Sequence, residues 1–183
     1  MRIFFLIITL ITTSGLFSQT RLHPYIGIHL SGDAELYYIG PSFQVGADYY
    51  LKKRLLLSGY GHYYAKIVDR LNRDNSFEKG KFKTITGCIL LQFNFSRNLN
   101  RSFFFAGGMS IQRWADNFKS SWNVWDIKRT TVLPAIRLGY FFPVNRFKLA
   151  LELNGTGPYS YHEDNWDTLE ILTQISVGLR LIL

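Results

Sequence analysis

The chain has one cysteine, Cys88, and only five prolines in 183 residues. A lone thiol excludes an internal disulfide framework. Cys88 also lies far from the N-terminus, so no lipid-acceptor cysteine follows a leader. There is no Ser/Pro-rich hinge and no repeat of fixed long period, so nothing divides the chain into separate domains. Helical periodicity is missing after the first twenty residues, which removes helical bundles from consideration. Charged residues make up only 19%, and the excess is basic, with a formal net charge of +8. Nucleic acid is not the expected partner, because no basic cluster interleaved with aromatics follows a binding motif.

What is present begins with "MRIFFLIITLITTSGLFSQT". Arg2, an apolar run from Ile3 to Ile11 and then small polar residues have the layout of a secretory leader. The run is too short to span a bilayer. Cleavage near Ser18 is expected, giving a leader over 1–18 and one exported domain over 19–183.

Period-two alternation then recurs in eight segments. "PYIGIHLSG" sets Ile26, Ile28 and Leu30 against Tyr25, Gly27, His29 and Ser31. "PSFQVGADYYL", "RLLLSGYGHYYAKIV", "FKTITGCILLQFNFS" and "FFFAGGMSIQRW" continue the pattern, followed by "TTVLPAIRLGYFFPV" and "FKLALELNGT". The last is "LEILTQISVGLRLIL", with Leu169, Ile171, Ile175, Val177, Leu179, Leu181 and Leu183 on one edge. Links alternate between long (32–39, 69–79, 116–128 and 158–168) and short ("LKKR", "RNLNR" and "VNR"). An even strand count with long loops at one end and tight turns at the other predicts an all-β, eight-stranded antiparallel up-and-down transmembrane β-barrel.

Alternation alone does not say which face is outside. An eight-stranded barrel has an interior barely wide enough for side chains. Phe, Leu, Ile, Tyr and Val crowd one face of nearly every strand, too much volume for that lumen. The bulky face therefore points outward, and an apolar exterior requires lipid. A one-residue slip would exchange the faces and turn Arg137, Lys148, Glu152 and Arg180 toward hydrocarbon. Each midplane Arg or Lys so placed costs about 2–4 kcal/mol. Aromatics, at 16% of the chain, fall into two expected girdles. Tyr49, Phe93, Phe95, Phe103, Tyr140, Phe142 and Phe147 stand near the short turns. Tyr63, Trp114, Trp122, Trp125, Tyr159 and Trp166 stand near the long loops.

On strand count, loop asymmetry and the final strand, the mature sequence resembles the small outer-membrane barrels of the OmpA-transmembrane-domain and OmpX type. The resemblance implies residence in the outer membrane of a Gram-negative envelope, among membrane lipid and lipopolysaccharide. It also implies that the last strand, through Ile175, Val177, Leu179, Leu181 and Leu183, is read by the barrel-assembly machinery. Leu183 departs from the aromatic more usual at the final position.

Residues that could carry chemistry fall into three groups. The lumen is expected to hold His29, Asp48, Arg54, His62, Lys66, Arg137, Lys148, Glu152, Glu170 and Arg180 as a plug of ion pairs and hydrogen bonds, with a narrow anion-preferring path as the alternative. His29, Gln44 and His62 are expected to share a layer, but two histidines without a third ligand do not make a metal site. "YSYHEDNWD" offers Ser160, His162 and Glu163, the parts of a hydrolase triad. Lipid A deacylases of the PagL kind are barrels carrying such a group, yet their His-x-Ser order is reversed here. Acidic residues of this loop and Glu170 are further candidates for divalent cations that bridge lipopolysaccharide. Arg21, Lys52, Lys53, Arg54, Arg97, Arg101 and Arg146 crowd the short-turn end and suit anionic headgroups or a periplasmic partner. No cofactor-binding pattern is read. The expectation is a non-enzymatic membrane barrel with a structural or interaction role, as a subunit of a larger outer-membrane complex.

Overall fold

The structure, a computed structural model, describes residues 21–33, 39–71, 77–98, 100–120, 124–144, 147–157, 159–163, 166–170 and 174–183. The leader, Trp122 and Arg146 lie outside these residues. Ten strands follow one another: β1 (Leu22–Asp33), β2 (Gly40–Lys52), β3 (Leu55–Leu71), β4 (Phe77–Asn94), β5 (Ser102–Ser120), β6 (Val124–Val144), β7 (Phe147–Thr156), β8 (Tyr159–Glu163), β9 (Trp166–Glu170) and β10 (Gln174–Ile182). Eight of them close an antiparallel barrel in the order β1-β10-β7-β6-β5-β4-β3-β2, while β8 and β9 form a separate two-stranded sheet. Closure is made by β1 on β10, with Ile28 opposite Leu179 and His29 opposite Gly178. The amide of Leu183 donates to the carbonyl of Pro24 at 3.0 Å, so the ladder continues to the last residue.

Burial alternates along these strands as the sequence pattern requires. Ile28 is 65% exposed, Ile89 66% and Phe103 67%, whereas Arg137 and Arg180 are 0% exposed. An apolar outside wrapped around a charged inside is stable only against hydrocarbon. The fold is therefore a transmembrane barrel.

The long links of the sequence are shorter than expected, because much of their length is strand. β3 to β6 have 17, 18, 19 and 21 residues, against 12, 13, 10 and 9 for β1, β2, β7 and β10. A spanning strand needs only about 9–11 residues. The β2–β3 ladder ends at Ser42 and Tyr64, and the β6–β7 ladder ends at Ala135 and Thr156. Beyond those points, among the described residues, β3 to β6 pair only with one another, as far as Leu71 with Phe77 and Lys119 with Val124. A four-stranded sheet thus stands beyond the barrel mouth. The last long link carries the β8–β9 hairpin.

The narrow interior makes inward glycines a packing requirement. A Cβ on Gly178 would collide with the carbonyl of Ile28 and lie 2.6 Å from His29 Cγ, while one on outward Gly87 would meet nothing within 4 Å. Gly178→Ala is expected to lower the stability of the folded barrel in lipid vesicles by roughly 1–3 kcal/mol through overpacking. Gly87→Ala should be neutral or stabilising, and urea titration of the two variants side by side checks the contrast.

Candidate functional site

Four strands bring the charged residues of the lumen together. Arg137 comes from β6, Glu152 from β7, Arg180 from β10 and Asp48 from β2, each on the inward set of positions and each at most 2% exposed. The Nε of Arg180 stands 2.9 Å from Glu152 Oε2, an ionic contact whose N–H is aimed off the line to the oxygen. Its Nη1 donates to both oxygens of Asp48, at 3.2 and 3.3 Å. Arg137 donates from Nε to Asn154 Oδ1 at 2.9 Å and from Nη1 to Ser58 Oγ at 3.0 Å, with Glu152 Oε2 at 3.8 Å. Two guanidiniums and two carboxylates balance within one cross-section.

Aromatic faces complete the solvation of these cations. Arg137 Cζ lies 4.3 Å from the centre of the Tyr60 ring, and Arg180 Cζ lies 4.5 Å from that of Tyr25. Lys148 Nζ donates to Tyr50 Oη at 2.9 Å and sits 4.3 Å over Phe141. Buried Tyr25, Tyr60, Phe104 and Phe141 are not part of the expected lumen network, yet they fill the lower lumen around the arginines. Their positions on the inward edge of the alternation were the available signal.

Above this layer lie the histidines. His29 Nε2 is 3.5 Å from Glu152 Oε1, and His62 Nε2 is 2.9 Å from Ser42 Oγ, which is 2.6 Å from Ser31 Oγ. The two imidazoles are 5.9 Å apart. Gln44 joins them: its amide satisfies its neighbours with the nitrogen 2.9 Å from His29 Nε2 and the oxygen 2.8 Å from Arg137 Nη2. Among the described residues no group of three or more His, Cys, Asp or Glu is placed to hold a metal. A cavity of about 20 Å³ lined by Gln44, Tyr60, His62, Cys88 and Asn154 has room for a single water. Lys66 stands further out on the inward side of β3, half-buried.

Three placements differ from expectation. Glu170 lies on β9, opposite Tyr159, outside the barrel, because the closing strand starts only at Gln174. Arg54 sits in the tight turn between β2 and β3 rather than in the lumen, its carbonyl accepting the amide of Asn94. Trp114 falls on the inward edge of β5 with Ser110 and Gln112, since β5 runs unbroken from Ser102 to Ser120 and its alternation never slips. The guanidinium of Arg129 lies 6.0 Å from its ring.

At the short-turn end Tyr49, Phe93, Phe95, Phe103 and Phe147 are exposed on the outer wall, with Tyr140 and Phe142 beside them. The rings of Phe103 and Tyr140 pack at a tilt, with centres 4.6 Å apart. Arg21, Lys52, Lys53, Arg97 and Arg101 are exposed around the same rim. Tyr63 is on the outer wall near the opposite end, while the side chains of Trp125, Tyr159 and Trp166 lie outside the described set. So do those of Ser160, His162 and Glu163. Their backbone register bears on the triad idea: Ser160 and His162 share one edge of β8, Glu163 falls on the other, and Asp167 is the acid opposite His162. On β10 the row Ile175, Val177, Leu179 and Leu181 occupies the outward edge.

No family model matches the sequence, and no curated protein does. Solved structures are similar in fold. Neisserial surface protein A superposes with a TM-score of 0.55 at 11% identity, covering 88% of this chain and 94% of that one. The outer membrane protein OprG from Pseudomonas aeruginosa gives 0.53 at 9% identity, with 88% and 94% covered. Ail, the attachment invasion locus protein of Yersinia pestis, seen in complex with the heparin analogue sucrose octasulfate, gives 0.52 at 16% identity, with 88% and 97% covered. The architecture is that of small eight-stranded outer-membrane barrels, in keeping with the OmpA and OmpX resemblance.

Removing one member of the ionic layer leaves one buried charge without compensation. Glu152→Ala is expected to destabilise the barrel by about 3–5 kcal/mol. The measurement is the shift in urea midpoint for protein folded into vesicles, with Lys53→Ala, exposed in the turn after β2, as the control that stays unchanged.

Proposed function

We propose that this chain is an integral outer-membrane barrel whose lumen is sealed and whose work is done by its surfaces, as one subunit of a larger outer-membrane assembly. The observation that carries the reading is the sheet formed by the outer parts of β3 to β6. It extends past the membrane-spanning section, and among the described residues no strand flanks β3 beyond Tyr64 or β6 before Ala135. Strand edges without a neighbour are templates for pairing with another chain. The sealed lumen supports the same view, since Arg137, Arg180, Glu152 and Asp48 span the cross-section and leave little room for a hydrated ion. The outward row of β10 and Leu183 suits recognition by the assembly machinery during insertion. The basic rim at the short turns suits anionic headgroups on the periplasmic side.

Two measurements test the reading. Native extraction in mild detergent should recover the tagged protein with a defined partner. That partner should be lost when the β3–β4 and β5–β6 hairpins are shortened to the barrel rim, in a variant that still folds. Recovery of a lone barrel would overturn the assembly role. In planar bilayers the wild-type protein should show no steady conductance above background, and a stable open level would overturn the sealed lumen. Ser160→Ala and His162→Ala should leave the lipid A profile of cells unchanged, whereas an altered profile would favour an envelope-lipid enzyme.

A further inference from the structure

The three short turns and the entry to β1 carry charge of one sign. "QTRLH", "YLKKRLLL", "FSRNLNRSF" and "PVNRFK" hold eight arginines and lysines and neither aspartate nor glutamate. The long links and outer strand segments mix the signs, with Asp69, Glu78, Asp116 and Glu163 among their bases. Arg21, Lys52, Lys53, Arg97 and Arg101 are exposed, while Arg54 and Lys148 are half-buried. None of these seven makes an ion pair among the described residues, where the pairs belong to the central layer of the lumen. The carboxylate of Leu183 offsets at most one of them.

Lipid headgroups meet this rim from the side, yet two of the cations belong to the mouth. The outward positions nearest the turns are apolar, with Leu22, Tyr49, Phe95, Phe103 and Phe147 exposed. Arg21 continues the inward edge of β1, its carbonyl accepting the amide of Tyr50 at 2.8 Å. Lys148, on the inward edge of β7, sits 4.3 Å over Phe141 and donates to Tyr50 Oη at 2.9 Å. An ammonium has three donors, and the barrel wall separates this one from lipid. The β4–β5 turn presents Arg97 and Arg101 on a backbone held by its own bonds. The amide of Arg101 donates to Asn98 O at 3.2 Å, that of Asn98 to Ser96 Oγ at 3.0 Å, and that of Ser96 to Ser102 Oγ at 3.0 Å. With about 4.8 Å between neighbouring strands, the tips of the β2–β3 and β4–β5 turns stand roughly 10 Å apart. An extended peptide covers that distance in about three residues; a single phosphate or carboxylate does not.

We propose that the mouth at the short-turn end docks an acidic segment of a periplasmic protein. One carboxylate enters toward Lys148 and Arg21, and others along the segment meet Lys53, Arg97 and Arg101. The proposal rests on the reading of this chain as a subunit of an outer-membrane assembly and names the chemistry of one partner. Carboxylates repeated along a peptide match cations that are spread around a ring and reach into its opening. The guanidiniums supply paired donors for such carboxylates. The turn that carries two of them is already ordered, so less freedom is lost on binding.

The test uses the full-length protein folded in nanodiscs of neutral phosphatidylcholine, with fluorescent oligoglutamate as the probe and oligoglutamine as its control. Anisotropy should show binding of the first alone, weakening as salt is raised. Lys53→Gln/Arg97→Gln/Arg101→Gln should weaken it on the order of ten- to a hundredfold. Lys81→Gln/Arg113→Gln/Lys119→Gln, at the opposite end, should bind like wild type. Lys148→Gln removes a charge that lipid does not reach and should weaken peptide binding about three- to tenfold. Arg21→Gln provides the same comparison should the Lys148 variant fold poorly, with heat-modifiable gel mobility reporting the fold. Equal binding by all variants, or by both peptides, overturns the proposal. Complete displacement of oligoglutamate by phosphatidylglycerol in the discs, or tighter binding of peptidoglycan fragments, shows another occupant and overturns the polypeptide assignment. Recovery of a lone barrel in mild detergent, with oligoglutamate still bound in nanodiscs, would overturn the assembly reading separately from the acidic-peptide site.

Discussion

The barrel depends on a pair of buried guanidiniums being neutralised from strands far apart in sequence. Arg180 on the last strand reaches Asp48 on the second, across the seam formed by β1, and shares Glu152 of β7 with Arg137 of β6. Arg137, Glu152 and Arg180 come from the neighbouring strands β6, β7 and β10, but Asp48 on β2 meets Arg180 only once β1 has closed on β10. The ion layer is therefore a statement about topology as much as about energy. Slipping any of the four strands by one residue sends its charge into hydrocarbon and an apolar side chain into the lumen. Burial of charge is weak evidence for stability in general. Here its consequence is specificity of register, because every alternative register is worse on both faces at once.

The aromatic residues inside the barrel follow from the same constraint. Eight strands enclose a lumen too narrow for much water, so the unused donors of Arg137 and Arg180 need another polar surface. The faces of Tyr25 and Tyr60 provide it, and they also fill volume. Gly178, close against His29, is the complement: the backbone approaches where the ring takes the space. Packing and electrostatics in this interior are one problem with one solution.

Strand order, inside and outside, and the members of the ion layer were legible from alternation, because within a membrane the two faces of a strand meet opposite solvents. Beyond the membrane that contrast disappears. In β4 the outward positions Lys79, Lys81 and Lys83 are polar, and in β5 Arg113, Asn117 and Lys119 are too, so both faces can meet water. Stretches such as 69–79 and 116–128 then read as loops, although backbone pairing continues through most of them. Trp114 was misplaced for a related reason: a tryptophan near a loop was read by its chemistry, when the parity carried from Phe103 already assigned it inward. Glu170 was misplaced because the final alternation is continuous in sequence from Leu169, whereas β9 and β10 are separate strands.

The location of the surplus positive charge connects fold to function. Asp48 and Glu152 offset Arg137 and Arg180, so this ion layer contributes nothing to the net charge of +8. The excess belongs to the ends. Arg21, Lys52, Lys53, Arg97 and Arg101 encircle one rim, and Lys81, Lys83, Arg113 and Lys119 occupy the outer face at the other. An apolar cylinder with cations at both edges is held at a fixed depth, since displacement in either direction drags charge into hydrocarbon. Fixing depth also fixes the height and direction of the sheet formed by β3 to β6. The partner chain proposed for that sheet would meet its strand edges at one distance from the membrane and in one orientation, with less freedom left to lose on binding.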